Sequence, residues 1–454
     1  MTSGQGAAEI AVIGAGSSGL AVLKALREEG LRAECFERGS DVGGLWRYEN
    51  DNRLSSAYAS LRTNVSRSRM QYPGFPMPAT YGDFPDHTQM WTYLSAYADA
   101  YGLRESIRFR VTVERVEPKA NGTWRVLLDD GSVRDFRAVV VAVGIFWCPK
   151  IPRHEGSFSG ETSHSHDYRK PDTFAGRSVP VVGAGQSAAE IVSEVANVTG
   201  RAFMSVRSGA HVIPRWIGGR PYDAFDIDPL NRSPWPLMNG MYAFRVARQL
   251  GPLPRSWPVP GHRLLEGVPT LSSDLFPAIR QGKVTVKPAI ERLAGHQVCF
   301  VDGTRESIDH IIWATGYEIS LPFLSSNIVS PRGREFPLYR RIVPPGLAGL
   351  FFAGFVDAPG GLLPVVETQA GWIAAVLVGR LSLPPLEQMW AAIDRSERRT
   401  RVRFPEEAAS SVRCDPHAHR RLLRSDLRRA RWRLCRRRDA GPLQGERSEP
   451  SPTW

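Results

Sequence analysis

Short apolar runs, each closed by glycine and followed by a helical period, set the plan of this chain. The first is Ile10-Ala-Val-Ile13, which runs into Gly14-Ala-Gly-Ser-Ser-Gly19 and then a helical pattern. The second is Val179-Pro-Val-Val182, followed by Gly183-Ala-Gly-Gln-Ser-Ala188 and another helical pattern. Uniformly apolar runs of this length predict strands buried on both faces, as parallel sheets require. Phe136–Gly144 (FRAVVVAVG) and Asp309–Gly316 (DHIIWATG) are of the same kind. Gly349–Gly354 (GLFFAG) leads through a proline-broken loop to an apolar helix expected over about 367–381. Between the two glycine motifs, Asn121-Gly122 and Asp130-Gly131 separate strand-like runs and predict hairpins. The segment from Arg215 to Leu265, rich in Pro, Trp and Gly, fits neither period and reads as an irregular excursion beside a cofactor cleft.

This recurrence predicts the α/β class with two dinucleotide-binding, Rossmann-like domains, the second inserted in the first. Residues 1–150 begin the first domain, 151–308 form the inserted domain, 309–394 return to the first, and 395–454 form a basic C-terminal tail. Charge changes the picture only there. Of a net charge of +12, the stretch from Arg395 onward carries most, with 17 arginines against 8 acidic residues. Leu423, Leu427 and Leu434 recur among those arginines at near-helical spacing, which predicts one docking helix with a solvated basic face, dispensable for chemistry. Nucleic-acid binding is not expected, because aromatic interleaving is lacking beyond Trp432. The five cysteines are scattered, with no CxxC pair and no zinc spacing, so neither a metal site nor a redox disulfide is expected. No apolar run approaches the roughly 20 residues of a membrane-spanning helix. No signal core precedes the first strand, and a cytoplasmic location is the expectation.

The two glycine motifs differ where adenine dinucleotides differ. In the first, Gly14, Gly16 and Gly19 hold GxGxxG spacing between strand and helix. Gly14 permits the tight turn, Gly16 lets backbone approach a pyrophosphate, and Gly19 allows close helix–strand packing. The helix start, with Ala15, Ser17 and Ser18, then opens toward phosphate charge. The next strand ends in Glu37, placed to accept hydrogen bonds from both ribose hydroxyls. The second motif keeps Gly183 and Gly185, continues with Gln186 and Ser187, and has Ala188 for the third glycine. At the position matching Glu37 stands Arg207. A carboxylate there would repel a 2′-phosphate, whereas a guanidinium pairs with it. The second site is therefore expected to take NADPH, which leaves the first for FAD. Gly43-Gly44 followed by Leu45 and Trp46 could pass close to a flat ring and cover it, or be a turn with a core tryptophan.

With Phe158, Gly160, His164 and Tyr168, which fit FxGxxxHxxxY, these motifs resemble the flavin-containing monooxygenase family from about residue 9 to 380. The resemblance implies that Gly44, Leu45 and Trp46 cover the flavin. It also implies that Ala314-Thr-Gly-Tyr317 marks a crossing between domains and that Val113 runs along the adenine. Asn64, preceded by Thr63, would lie beside flavin and nicotinamide as the catalytic residue. His164 would organise the joint between domains or act in catalysis. The implied reaction consumes NADPH and O2 and oxygenates a soft nucleophile, an amine nitrogen or a sulfide, through a C4a-hydroperoxyflavin. Baeyer–Villiger relatives usually carry Trp at the position of Tyr168; such a ketone monooxygenase remains an alternative, as does a non-catalytic binding protein on this fold. Gln186-Ser187-Ala188 is closer to enzymes that hydroxylate amino-acid side chains, so the substrate stays open. The tail lacks the apolar membrane anchor of animal members. The expected partners are a small-molecule substrate and O2, with a homodimer left open.

Overall fold

The computed structural model describes residues 9–225, 235–331, 335–404 and 412–439, with the side chains of 235, 236, 238 and 432–439 outside the description. In chain order its principal strands are β1 (Ile10–Ile13), β2 (Ala33–Glu37), β3 (Ile107–Phe109), β4 (Ala138–Val141), β5 (Glu161–His164), β6 (Ser178–Val182), β7 (Arg201–Ser205), β8 (Val284–Lys287), β9 (His310–Trp313) and β10 (Leu350–Phe352). The helices that matter here are α1 (Ser17–Glu28), α2 (Gln186–Val195), α3 (Trp235–Leu250), α4 (Leu362–Leu377), α5 (Leu386–Arg403) and α6 (Pro416–Asp439).

Two five-stranded sheets result, in the orders β10-β4-β1-β2-β3 and β5-β9-β6-β7-β8. Every pairing in both is parallel. The apolar runs explain the choice: β1 and β4 are buried at every position, as strands covered on both faces must be. The expected hairpins form between Val113–Pro118, Trp124–Leu128 and Val133–Phe136, which make a small antiparallel sheet. Gly122 and Gly131 take the positive φ of their turns.

Four expectations need correction. β9 lies in the middle of the second sheet, paired with β5 and β6, so the boundary at 308/309 falls one strand early. The chain returns to the first domain only after Gly316, whose carbonyl accepts from Lys150 N. Cys148–Pro149 and Tyr317–Glu318 pair antiparallel, so the outward and return crossings run side by side. The apolar helix after Gly354 begins earlier than expected, at Leu362, and stops before Gly379, which has φ +73°. Within the excursion from Arg215 to Leu265 there is a 16-residue helix, α3. Its outward face carries Leu237, Met241 and Phe244 at helical spacing, but Pro236 and Gly240, poor helix formers, break that signal in the sequence.

The fourth correction concerns the tail. α5 runs through the expected start at Arg395, and α6 packs on α4 with Leu423 fully buried and Leu427 partly so. Arg340 forks onto Asp426 at 2.8 and 3.2 Å, and Trp372 Nε1 donates to the same carboxylate at 3.3 Å. A docking helix exists, but it is bolted to the first domain by a half-buried ion pair as well as by leucines. The expected contribution of Leu434 lies outside the described residues.

Candidate cofactor and substrate cleft

A cavity of about 880 Å³ opens at the carboxyl ends of both sheets, where doubly wound folds bind dinucleotides. The first glycine motif forms one wall. Gly14 has φ +98°, and a Cβ on Gly19 would stand 1.9 Å from Gly14 O, so helix and turn can approach only with glycine at 19. Gly16 and Gly44 face each other across a similar narrow gap, with a Cβ on Gly44 standing 3.1 Å from Gly16 Cα. The N-cap of α1 is Gly16, with no side-chain cap, so the first-turn amides remain available to an anion. Glu37, 5% exposed, accepts from Ala15 N at 2.8 Å and Gly39 N at 2.7 Å, so it shapes the turn as well as lining the cavity.

The second motif repeats this arrangement. Gly183 has φ +135°, and a Cβ there would stand 2.4 Å from Ala314 O. Gly185 caps α2 without a side-chain bond and has open space where a Cβ would be. Gln186 lines the cavity but is engaged: its amide donates to Leu271 O and Glu190 Oε1 and accepts from Leu271 N, at 2.7–2.8 Å.

Of the other expected site residues, Gly14, Ser17, Ser18, Gly44, Leu45, Trp46, Asn64, Val113 and Ser187 line the cavity. Ala15, Gly19, Thr63, Gly183 and Ala188 stand behind its surface; Thr63 is buried and Ala188 packs in the second domain's core. Arg207 is exposed at the end of β7, outside the lining. The structure thus brings both helix starts and Asn64 to one space and leaves Arg207 outside its lining.

The FxGxxxHxxxY residues sit at the joint. A Cβ on Gly160 would stand 2.7 Å from Asp309 O, so glycine lets β5 enter beside β9. His164 is buried, accepts from His166 N at Nδ1, and meets the Tyr317 ring edge-on. Burial pushes its imidazole down to about 4, with the His166 charge adding to the effect. A neutral, enclosed ring suits the structural role. Just beyond, Tyr168 donates to Glu194 at 2.7 Å, and Arg169 O and its guanidinium hold Ala59 N and Ser55 O across the domains.

Several lining residues carried no signal in the sequence. Tyr222, Asp223 and Tyr242 come from the excursion, and Leu264–Leu271 contributes much of one wall. From the expected tail come Arg403, Phe404, Arg413, Asp415 and His417. Arg403 reaches Leu265 O, and burial lowers its pKa, while Arg413 pairs with Asp357 at 3.3 Å. The expected tail therefore contributes to the wall of the cleft, which its sequence did not show. Only their placement at the cavity, set by α5 and α6, distinguishes these arginines from the others in the run.

A family model described as flavin-binding monooxygenase-like matches residues 7–419. The chain is 33% identical over 413 residues to flavin-containing monooxygenase 3 of Rattus norvegicus, covering 85% of this chain and 77% of the relative. It is also 33% identical over 411 residues to dimethylaniline monooxygenase [N-oxide-forming] 4 of Mus musculus, covering 86% and 73%. Among solved structures, S-allyl-L-cysteine S-oxygenase from Allium sativum is similar at a TM-score of 0.69 and 26% identity, covering 96% and 94%. An open form of cyclohexanone monooxygenase shares the fold at a TM-score of 0.68, with 18% identity and coverage of 92% and 97%.

Proposed function

Because this chain belongs to the flavin-binding monooxygenase-like family and is an FAD- and NADPH-dependent oxygenase, we propose that it oxygenates an amine nitrogen or a sulfide sulfur of a small molecule. The observation that carries this is the single cavity joining the starts of α1 and α2 to Asn64. The residues fit the two cofactors: uncapped helix starts suit pyrophosphates, Glu37 suits a ribose, and the open space at Gly185 would be filled by any larger residue. When bound, FAD takes hydride from NADPH and activates O2 for transfer. The chain supplies orientation and a largely apolar surround, in which Phe146, Trp147, Leu264 and Tyr317 help to exclude water. The Asn64 side chain can donate a hydrogen bond into that space, and no general base is needed to transfer oxygen to an amine or sulfide. Among the described residues the cysteines Cys35, Cys148, Cys299 and Cys414 are free, which fits a reducing cytoplasmic setting.

The names of the relatives point to both chemistries, N-oxide formation in one and S-oxygenation in another. The test is NADPH consumption with product identification by mass spectrometry across tertiary amines, thioethers and cyclic ketones. N-oxides or sulfoxides are expected. Lactone or ester formation from ketones, with amines and thioethers untouched, would instead establish the Baeyer–Villiger reading.

A further inference from the structure

The loop that carries Asn64 is held from two sides, and only one belongs to its own domain. On the first side, Thr63 N donates to Pro85 O at 2.9 Å and Arg67 N to Asp83 O at 2.6 Å. On the other, residues 215–223 of the excursion close over the loop. Trp216 Nε1 donates to Asp83 at 2.9 Å, and its ring meets Phe84 edge-on at 5.0 Å. Tyr222 Oη donates to Asn64 O at 2.9 Å. The Asp223 carboxylate, 3% exposed, accepts from Ser66 N at 2.7 Å. A carbonyl and an amide two residues apart, the first on Asn64 itself, are thus tied to consecutive residues of the other domain's excursion.

That excursion is itself anchored. Tyr222 N donates to Arg215 O at 2.9 Å, and Tyr242 Oη donates to Tyr222 O. Arg215 pairs with Glu190 of α2, a carboxylate that also accepts from Gln186 and from Tyr58. Both ends of the Arg215–Glu190 pair are largely enclosed, at 13% side-chain exposure each. The path from the second glycine motif to the Asn64 loop therefore consists of directional polar contacts.

We infer that Asp223 and Tyr222 are positioning residues for oxygen transfer, fixing the direction from which Asn64 reaches into the cavity. The inference rests on the reading of Asn64 as the residue beside the flavin. Two anchored backbone groups restrict the dihedrals of residues 64–66, and a small rotation there moves the Asn64 amide off its target. Oxygen that is activated but not transferred leaves as hydrogen peroxide. The sensitive measurement is therefore peroxide released and product formed per NADPH consumed, a ratio independent of how much enzyme is loaded with FAD.

The experiment compares Asp223→Ala, Asp223→Asn, Tyr222→Phe, Asn64→Ala and the Asp223→Ala/Asn64→Ala pair as holoenzymes. Asp223→Ala is expected to lower product per NADPH roughly 10-fold or more, the factor for one lost hydrogen bond to a buried carboxylate, with a matching rise in peroxide. Asp223→Asn keeps an oxygen to accept from Ser66 N and is expected to restore most of the coupling. Tyr222→Phe removes a single hydroxyl, so it carries the test if Asp223→Ala fails to fold, and is expected to leak in the same direction. In the pair, Asp223→Ala should add little to the leak of Asn64→Ala, because both act through one amide. If Asn64→Ala leaks while Asp223→Ala and Tyr222→Phe stay coupled, the positioning role is overturned and the Asn64 reading stands. If Asn64→Ala itself stays coupled, the Asn64 reading fails and takes the inference with it. Asp223→Asn leaking as much as Asp223→Ala would also overturn it, since the charge and not the hydrogen bond would then matter.

Discussion

Replacing Gly185 by alanine adds one methyl group at the start of α2, where nothing in the chain stands within 4 Å of it. The residue has φ −82° and ψ −175°, extended backbone that alanine adopts without strain. Alanine is a poorer N-cap than glycine by about 0.5–1 kcal/mol, and a less flexible unfolded chain offsets about 0.4–1 kcal/mol of that. The fold should therefore change by less than about 1 kcal/mol. The cost falls on the dinucleotide, since the methyl group occupies the space by which a pyrophosphate reaches the amides of Gln186 and Ser187. Losing one charge-assisted hydrogen bond, at about 1.5–3 kcal/mol, corresponds to a roughly 10- to 100-fold rise in the KM for NADPH. The assay is steady-state NADPH oxidation under saturating FAD, alongside melting temperature and flavin absorbance. An unchanged KM would refute the placement of NADPH on α2. Loss of flavin with an unchanged KM would mean that the two motifs hold the opposite cofactors.

Four other outcomes are expected. Arg207→Ala should raise the KM for NADPH by the equivalent of about 1.5–3 kcal/mol and leave NADH use nearly unchanged, provided the exposed guanidinium at the end of β7 meets the 2′-phosphate; equal kcat/KM for both nucleotides in the unmodified protein would remove this role. Leu423→Ala opens the packing between α6 and α4 and should cost about 2–5 kcal/mol, read as a lower melting temperature. Truncation before Arg395 should also impair turnover, because it removes the wall made by Arg403, Phe404 and Arg413, and full turnover without those residues would contradict the cleft assignment. Stability should fall as pH drops from about 6.5 toward about 4. His164 and His419 are held neutral by burial, pushed down to about 4 and about 3, so the unfolded chain takes up their protons first. A melting temperature that stays flat across that acidic range would exclude this contribution.

The two glycine turns, their helices and the buried strands were legible in the sequence because each rests on local steric demands. Gly14 and Gly183 need positive φ, and Gly19 needs a missing Cβ, at spacings that any reader of the chain can count. The hairpins at Gly122 and Gly131 are local in the same sense. Helix α3 was not legible, because Pro236 and Gly240 interrupt the helical spacing of Leu237, Met241 and Phe244. The ownership of β9 was not legible either, since an apolar strand between two similar sheets carries no mark of which it joins. Only the tertiary structure could show that Tyr222 and Asp223 hold Asn64 and Ser66, residues 158 and 157 positions away. Only it could pick Arg403 and Arg413 out of an arginine-rich run as parts of the cleft wall. Local backbone chemistry dictates glycines, turns and buried strands at short range, whereas contacts between distant segments depend on how two domains are docked, and no period along the chain encodes that.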